Sequence, residues 1–197
     1  MKKINKVSEN GPHYLGHRTR LREKFSDCGA EGLRDYELLE LLLTYAIPRR
    51  DVKEEAKELL LRFKTISGVL GAGQEELCKV KGISENSAVL ISLCRELSAK
   101  YLEGKMMAKD VLASPDAVYD FVRAKICHLD NEVFMTIFLN AKNHVHGYEI
   151  IDEGTVDTAI VYPRKIVKEV IAKKASSVIL AHNHPSGDPE PSRTDLD

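Results

Sequence analysis

Two histidines near the end of the sequence are the side chains best placed to do chemistry. His182 and His184 directly follow the apolar segment Val178-Ile179-Leu180. If this segment is a strand, residues i and i+2 point to the same face, with Cα atoms about 6.6 Å apart. Two imidazoles at that spacing can bind one metal ion. The pair therefore predicts a metal site at the end of a strand.

A carboxylate in the following segment supplies a third candidate ligand. Asp195 comes eleven residues after His184, and Pro185 and Gly187 turn the chain between them. Three protein ligands that leave the fourth position open are typical of catalytic zinc rather than structural zinc. The spacing thus favours a zinc centre made by His182, His184 and Asp195.

Two other classes of enzyme share fragments of this pattern. The letters HNH at 182–184 also name a class of ββα nucleases, but the named residues of that class are spread over a hairpin and a helix. An amidohydrolase begins with His-x-His on a strand, yet it then needs most of a barrel, and thirteen residues follow His184. Neither class fits the segment as well as a compact metal site does.

Residues 112–197 resemble the JAB/JAMM (MPN-type) metalloprotease domain. The motif of that domain is His-x-His, seven residues, Ser, two residues and Asp, which here falls on His182, His184, Ser192 and Asp195. The HNHPSGDPEPS form, preceded by Gly154-Thr155-Val156 and Pro163-Arg164, resembles the bacterial RadC (UPF0758) family in particular. In the first half, residues 21–24 and 35–39 are similar to the helical N-terminal domain of that family.

The resemblance implies a fold and a zinc-dependent activity. It implies a three-layer, cytidine-deaminase-like α/β domain that hydrolyses a peptide or isopeptide bond. Glu132, just before an apolar run, best matches the upstream glutamate that accepts a proton from water in these enzymes, with Glu149 and Glu153 as alternatives. Ser192 would donate a hydrogen bond to the developing oxyanion, although a serine there also suits a turn.

The hydropathy pattern divides the chain into a helical half and an α/β half. Leucines are dense at 33–43, where Asp35 is a candidate N-cap, and Asp51 is a candidate N-cap of a second helical pattern. Beyond Pro115, the chain reads as a helix, strands at 133–139 and 145–151, a helix at 163–174 and a strand at 176–181. We expect a helical domain at 1–102, a linker at 103–114 and a metal-binding domain at 115–197.

The segment at 77–88 resembles a helix-hairpin-helix, a motif that contacts DNA phosphates. Lys79, Lys81 and Gly82 suit such a contact, but Ser84 stands where a second glycine is expected. A further basic run includes Lys2, Lys3, Lys6, Arg18, Arg20, Arg22 and Lys24, although runs of this kind are commonly solvated faces. These features leave open a second function, a DNA-associated binding module, connected with DNA repair or recombination, whose metal site is structural or vestigial.

Composition limits the remaining possibilities. The net charge of −1 excludes a protein that binds nucleic acid by bulk charge, although residues 1–105 hold 19 Lys and Arg against 16 Asp and Glu. The four cysteines lie too far apart for a Cys-x-x-Cys pair. No apolar run approaches the roughly 20 residues of a membrane span, and no export leader is evident. We therefore expect a cytoplasmic protein with reduced cysteines.

Asp195, the predicted third ligand, lies close to the end of the sequence. Only two residues follow it, whereas proteins resembling this chain continue into a helix and further strands. A ligand at a chain terminus is usually poorly held, and an uncovered sheet favours association. The sequence thus predicts a C-terminally truncated domain that binds zinc weakly, has little activity and aggregates or forms a homo-oligomer.

Overall fold

A computed structural model describes residues 13–108, 111, 114–153, 163–187 and 190–191 of the chain. It is a mixed α and β structure, with a helical first part and a small sheet in the second, which confirms the predicted fold class. The chain divides into two compact units, Met1–Leu93 and Cys94–Asp197. No helix among the described residues is long and apolar enough to cross a membrane.

Short helices account for the first unit. They are α1 (His13–Cys28), α2 (Asp35–Ala46), α3 (Lys53–Phe63), α4 (Ile66–Gly71), α5 (Gln74–Cys78) and the start of α6 (Glu85–Met107), with a 3-10 turn at Gly29–Gly32. The N-cap of α3 is Val52 and not Asp51 as expected, although the Asp51 carboxylate accepts from the backbone N–H of Lys53 at 2.9 Å and so supports the start of the helix. The N-cap of α2 is Arg34, and the expected cap Asp35 is the first helical residue.

The apolar faces of these helices share one core. Its fully buried members come from α2 to α6 and include Leu43, Ala56, Leu59, Val69, Leu77 and Ile91. Burying each larger aliphatic side chain contributes about 1.5–3 kcal/mol. The leucine-rich pattern of the sequence therefore reflects core packing.

Arg18 of α1 fixes the connection between α2 and α3. Its side chain is 7% exposed. The guanidinium donates hydrogen bonds to the backbone carbonyls of Pro48 and Arg50, and to that of Ile47 at 2.7 Å. Arg18 thus has a structural position and does not belong to a solvated basic face as the sequence suggested. Lys24 of the same basic run pairs with Glu37 at 3.2 Å.

The second unit contains a three-stranded sheet flanked by helices. The strands are β1 (Val133–Leu139), β2 (Val145–Glu153) and β3 (Ser177–His182), and the helices are α7 (Pro115–Ile126), α8 (Pro163–Ala172) and the rest of α6. The strand order is β2-β1-β3, and both outer strands run antiparallel to β1. Every predicted element of this half is present, and β2 runs two residues further than expected.

The central strand divides its side chains between two faces of the sheet. Met135, Ile137 and Leu139 lie in a core that Phe121 of α7 and Met106 of α6 complete. Residues 103–107, which the sequence assigned to a linker, are helical. Met106 and its neighbours extend α6 because their apolar side chains pack in this core. Phe134, Thr136 and Phe138 alternate onto the opposite face.

Candidate metal centre

Two imidazoles converge at the end of β3. His182 is the last residue of the strand, and His184 follows two residues later. Their Nε2 atoms lie 2.9 Å apart, and both side chains are half-buried. At that distance the two Nε2 atoms cannot both carry a proton. The i, i+2 spacing thus produces the convergence that the sequence predicted.

The strand register brings a carboxylate to the same place. His182 lies opposite Phe134 in the antiparallel pair of β3 and β1. Continuing this register by two residues brings Glu132 level with His184. Glu132 is 9% exposed, and one ligand atom from each of Glu132, His182 and His184 lies within 4.8 Å of the others. The structure therefore collects the predicted base and two predicted ligands in one cluster.

Asn183, between the two histidines, joins β3 to the segment that carries Glu132. The side chain is 3% exposed. Its Oδ1 accepts from the backbone N–H of Val133 at 2.8 Å, and its Nδ2 donates to the carbonyls of Leu129 at 3.2 Å and Asn131 at 3.1 Å. Asn183 was not among the residues predicted from the sequence. The available signal was its alternation, which directs a polar side chain toward the protein interior.

Two known protein families match parts of this chain. Residues 112–197 match the RadC-like JAB domain, and residues 14–89 match the UPF0758 N-terminal domain. The chain belongs to the RadC/UPF0758 family. This confirms the family that the motif residues indicated. The cluster of Glu132, His182 and His184 lies within the RadC-like JAB match, and JAB domains typically bind metal.

The donor set of this RadC-family chain fits a metal ion. Two nitrogen ligands of a tetrahedral zinc ion, at bonds of about 2.0–2.1 Å, lie roughly 3.3 Å from each other. The Nε2 atoms of His182 and His184 are 2.9 Å apart, so a shift of a few tenths of an ångström would accommodate the ion. Imidazole and carboxylate are also ligands that zinc prefers. His182 and His184 could thus hold a metal, with Glu132 beside it.

The other predicted site residues do not join this cluster within the described part of the chain. Glu149 lies opposite Thr136 on β2 and forms an ion pair with Lys173 at 2.9 Å. The backbone of Glu153 pairs with Val133, and its side chain lies outside the described residues. Ser192 and Asp195 also lie outside them, so their roles stay predictions. Of the three candidate glutamates, the geometry favours Glu132.

The turn between α5 and α6 uses its glycine for an internal contact. Gly82 has φ +91°, and a Cβ there would lie 2.5 Å from the Glu55 carboxylate and 2.8 Å from the Arg50 guanidinium. Arg50 donates to the Gly82 carbonyl at 2.8 Å and pairs with Glu55. Lys79, a predicted phosphate contact, pairs with Glu76. The Gly82 backbone therefore packs against an ion pair of its own unit.

The same turn borders an open depression of the helical unit. The depression has a volume of about 540 Å³ and is lined by residues 46–50, Gly82 and Ser84. Ser84, which replaces the expected second glycine, has its hydroxyl 3.2 Å from that of Ser87. Lys81 is exposed beside it. Arg49 and Arg50 give one wall of this depression a positive charge.

Proposed function

We propose that this RadC-family protein is a zinc-dependent hydrolase of the JAMM type that cleaves a peptide or isopeptide bond. The observation that carries the proposal is the cluster of Glu132, His182 and His184, with ligand atoms within 4.8 Å of one another. A buried carboxylate beside two convergent imidazoles is the arrangement that metal-assisted hydrolysis needs. A metal site that only stabilised the fold would not require a carboxylate that can accept a proton beside the two imidazoles.

Each residue has a defined task in this proposal. His182 and His184, with Asp195, would hold the zinc ion. When bound, zinc lowers the pKa of a coordinated water toward about 7 and polarises the substrate carbonyl. The carboxylate of Glu132 accepts a proton from the attacking water and returns it to the leaving amine. Ser192 donates a hydrogen bond to the oxyanion.

Metal analysis of the purified protein tests the proposal. We expect about one zinc ion per chain in the wild type and none in the variant that carries His182→Ala and His184→Ala. The matched control carries His144→Ala and His146→Ala, which removes two exposed histidines of the same spacing at the other end of the sheet. That control should retain zinc. Full zinc occupancy without His182 and His184 would refute the assignment.

The depression beside Gly82 supports a second candidate function, in which the helical unit binds DNA. Its arginines and the exposed Lys81 could contact phosphates, as in a helix-hairpin-helix. We would then expect salt-dependent DNA binding that Arg49→Ala with Lys81→Ala weakens and that removal of His182 and His184 leaves unchanged. DNA binding that depends on the two histidines would contradict this candidate.

A further inference from the structure

We infer that Asn183 is the positioning residue of the metal centre. It holds the Glu132 carboxylate at a fixed distance from the imidazoles of His182 and His184. The inference rests on the proposed function, because it assigns the part that keeps the proton acceptor beside the metal. Its basis is the set of three hydrogen bonds from one buried side chain to the segment at 129–133.

The bonds of Asn183 attach the backbone on both sides of Glu132. The carbonyl of Asn131 precedes Glu132 and accepts from Nδ2, and the N–H of Val133 follows Glu132 and donates to Oδ1. Both peptide groups around the carboxylate are thus tied to one amide. Since Asn183 is covalently bonded to His182 and His184, a single residue connects all three members of the cluster.

These bonds begin where the backbone pairing of the two strands ends. The final pair of β1 and β3 is Phe134 with His182. Glu132 and His184 lie beyond this pair, where the strand pairing no longer holds them together. The Asn183 side chain continues the connection past the end of the ladder. Without it, the segment before β1 would lose its tie to β3.

Only an amide of this length satisfies all three partners. The site needs one acceptor for an N–H and two donors for carbonyls, which the Asn side chain provides. An aspartate would offer no donor and would bring a carboxylate oxygen against the carbonyls of Leu129 and Asn131. An alanine would leave three backbone groups without their partner in a site that is 3% exposed. Position 183 therefore requires the acceptor and the two donors in the arrangement that asparagine provides, and not merely a polar residue.

Cobalt-substituted protein gives the first test. We compare wild type, Asn183→Ala, Asn183→Ser and the control Asn140→Ala, which removes an asparagine whose Oδ1 accepts from Lys142 N–H at 2.8 Å and His144 N–H at 3.1 Å in the β1–β2 turn. We expect both Asn183 variants to bind Co²⁺ about 10–100-fold more weakly than wild type, because the bonds of Asn183 also fix the backbone that joins His182 to His184. The control should match the wild type.

The visible spectrum of bound Co²⁺ separates positioning from a merely structural role. Glu132→Gln should change the Co²⁺ absorption bands of the wild type and of the Asn140→Ala protein. It should leave those of the Asn183→Ala or Asn183→Ser protein unchanged, because the carboxylate no longer lies at the ion. If the Asn183 variants keep wild-type affinity and a spectrum that still depends on Glu132, the inference is wrong. Asn183→Ser keeps the test available if Asn183→Ala does not fold.

A measurement without metal distinguishes failure of this inference from failure of the proposed function. In the metal-free protein, we expect Asn183→Ala to accelerate amide hydrogen exchange at Val133 and to abolish the effect of Glu132→Gln on the imidazole NMR signals of His182 and His184. A wild type that binds no metal, or binds it without hydrolysis, would refute the hydrolase and leave these NMR results to decide on Asn183. Unchanged Val133 exchange in Asn183→Ala would refute the positioning role alone.

Discussion

The imidazole of His182 stacks on the ring of Phe134, with 6.5 Å between the ring centroids and 13° between the planes. The two residues are paired directly across β3 and β1, so both side chains stand on the same face of the sheet. Phe134 therefore limits the rotation of one candidate ligand. The restraint comes from the strand register and does not depend on the segment after β3.

We predict that Phe134→Leu weakens zinc binding. An aromatic pair contributes about 0.5–1.5 kcal/mol beyond area burial, which corresponds to a loss of affinity of about two- to tenfold. The measurement is a competition titration with a chelator of known zinc affinity. Tyr119→Leu removes an aromatic ring of α7 that is 64% exposed and serves as the control, with no expected effect. Equal affinity in the Phe134 variant would show that stacking does not orient His182.

We predict that Glu132→Gln retains zinc but loses hydrolytic activity. A glutamine cannot accept the proton of the attacking water, whereas it leaves the imidazoles of His182 and His184 in place. Zinc content and turnover on a panel of peptide and isopeptide substrates are measured on the same preparation. Glu149→Gln is the control, since Glu149 pairs with Lys173. If only the Glu149 variant loses activity, Glu149 is the proton acceptor.

Local residue patterns predicted the two histidines of the site, whereas Glu132, its long-range member, was identified only through the family resemblance. The two histidines follow from i, i+2 alternation on one strand, and the apolar runs of β1 and β3 predicted those strands. The choice among Glu132, Glu149 and Glu153 depends on how β1 and β3 pair. That pairing joins residues about 50 positions apart, and no local pattern encodes its register.

The role of Asn183 could not be predicted from the sequence for the same reason. Asn183 contacts backbone groups of Leu129, Asn131 and Val133, so the side chains at these positions do not indicate the contact. For Arg18, the sequence indicated the wrong environment. Its position in a basic run suggested a solvated face, yet the carbonyls at 47–50 that bind it are again backbone groups. Charge in a sequence does not distinguish a solvated cation from one that ties a loop.

Arg18→Ala should destabilise the helical unit by about 1.5–3 kcal/mol. The substitution removes a buried cation that donates to three carbonyls and leaves those carbonyls without this donor. Urea unfolding followed by far-UV circular dichroism measures the change in the free energy of unfolding. The control is Arg22→Ala, an exposed arginine of the same helix, for which we expect a change within about 0.5 kcal/mol. Equal stability of both variants would contradict the role of Arg18.

Glu40 gives the helical unit a pH-dependent stability. Burial raises its pKa above the ordinary 4.5, although His17 Nε2 lies 2.8 Å from its Oε1. The folded state thus binds more protons than the unfolded state, so this contribution to stability is complete below about pH 4.5 and is lost as pH rises through the folded-state pKa. Glu40→Gln should remove the loss of stability that Glu40 causes as pH rises, and should therefore stabilise the protein at neutral pH. Urea unfolding across this pH range measures the free energy of unfolding, and the exposed Glu31→Gln is the control. If Glu40 is not responsible, Glu40→Gln leaves the pH dependence of the free energy of unfolding unchanged.

The turn between α5 and α6 requires glycine at position 82. Gly82→Ala should destabilise the helical unit by about 1–3 kcal/mol, because φ +91° strains any side chain, and the new Cβ would also displace the side chains of Glu55 and Arg50. Gly73→Ala is the control, since Gly73 has φ −65° and open space around it, and it should change stability by less than about 1 kcal/mol. Thermal unfolding of both variants decides the matter. If Gly82→Ala is as stable as Gly73→Ala, the turn tolerates a side chain at φ +91° and does not require glycine at position 82.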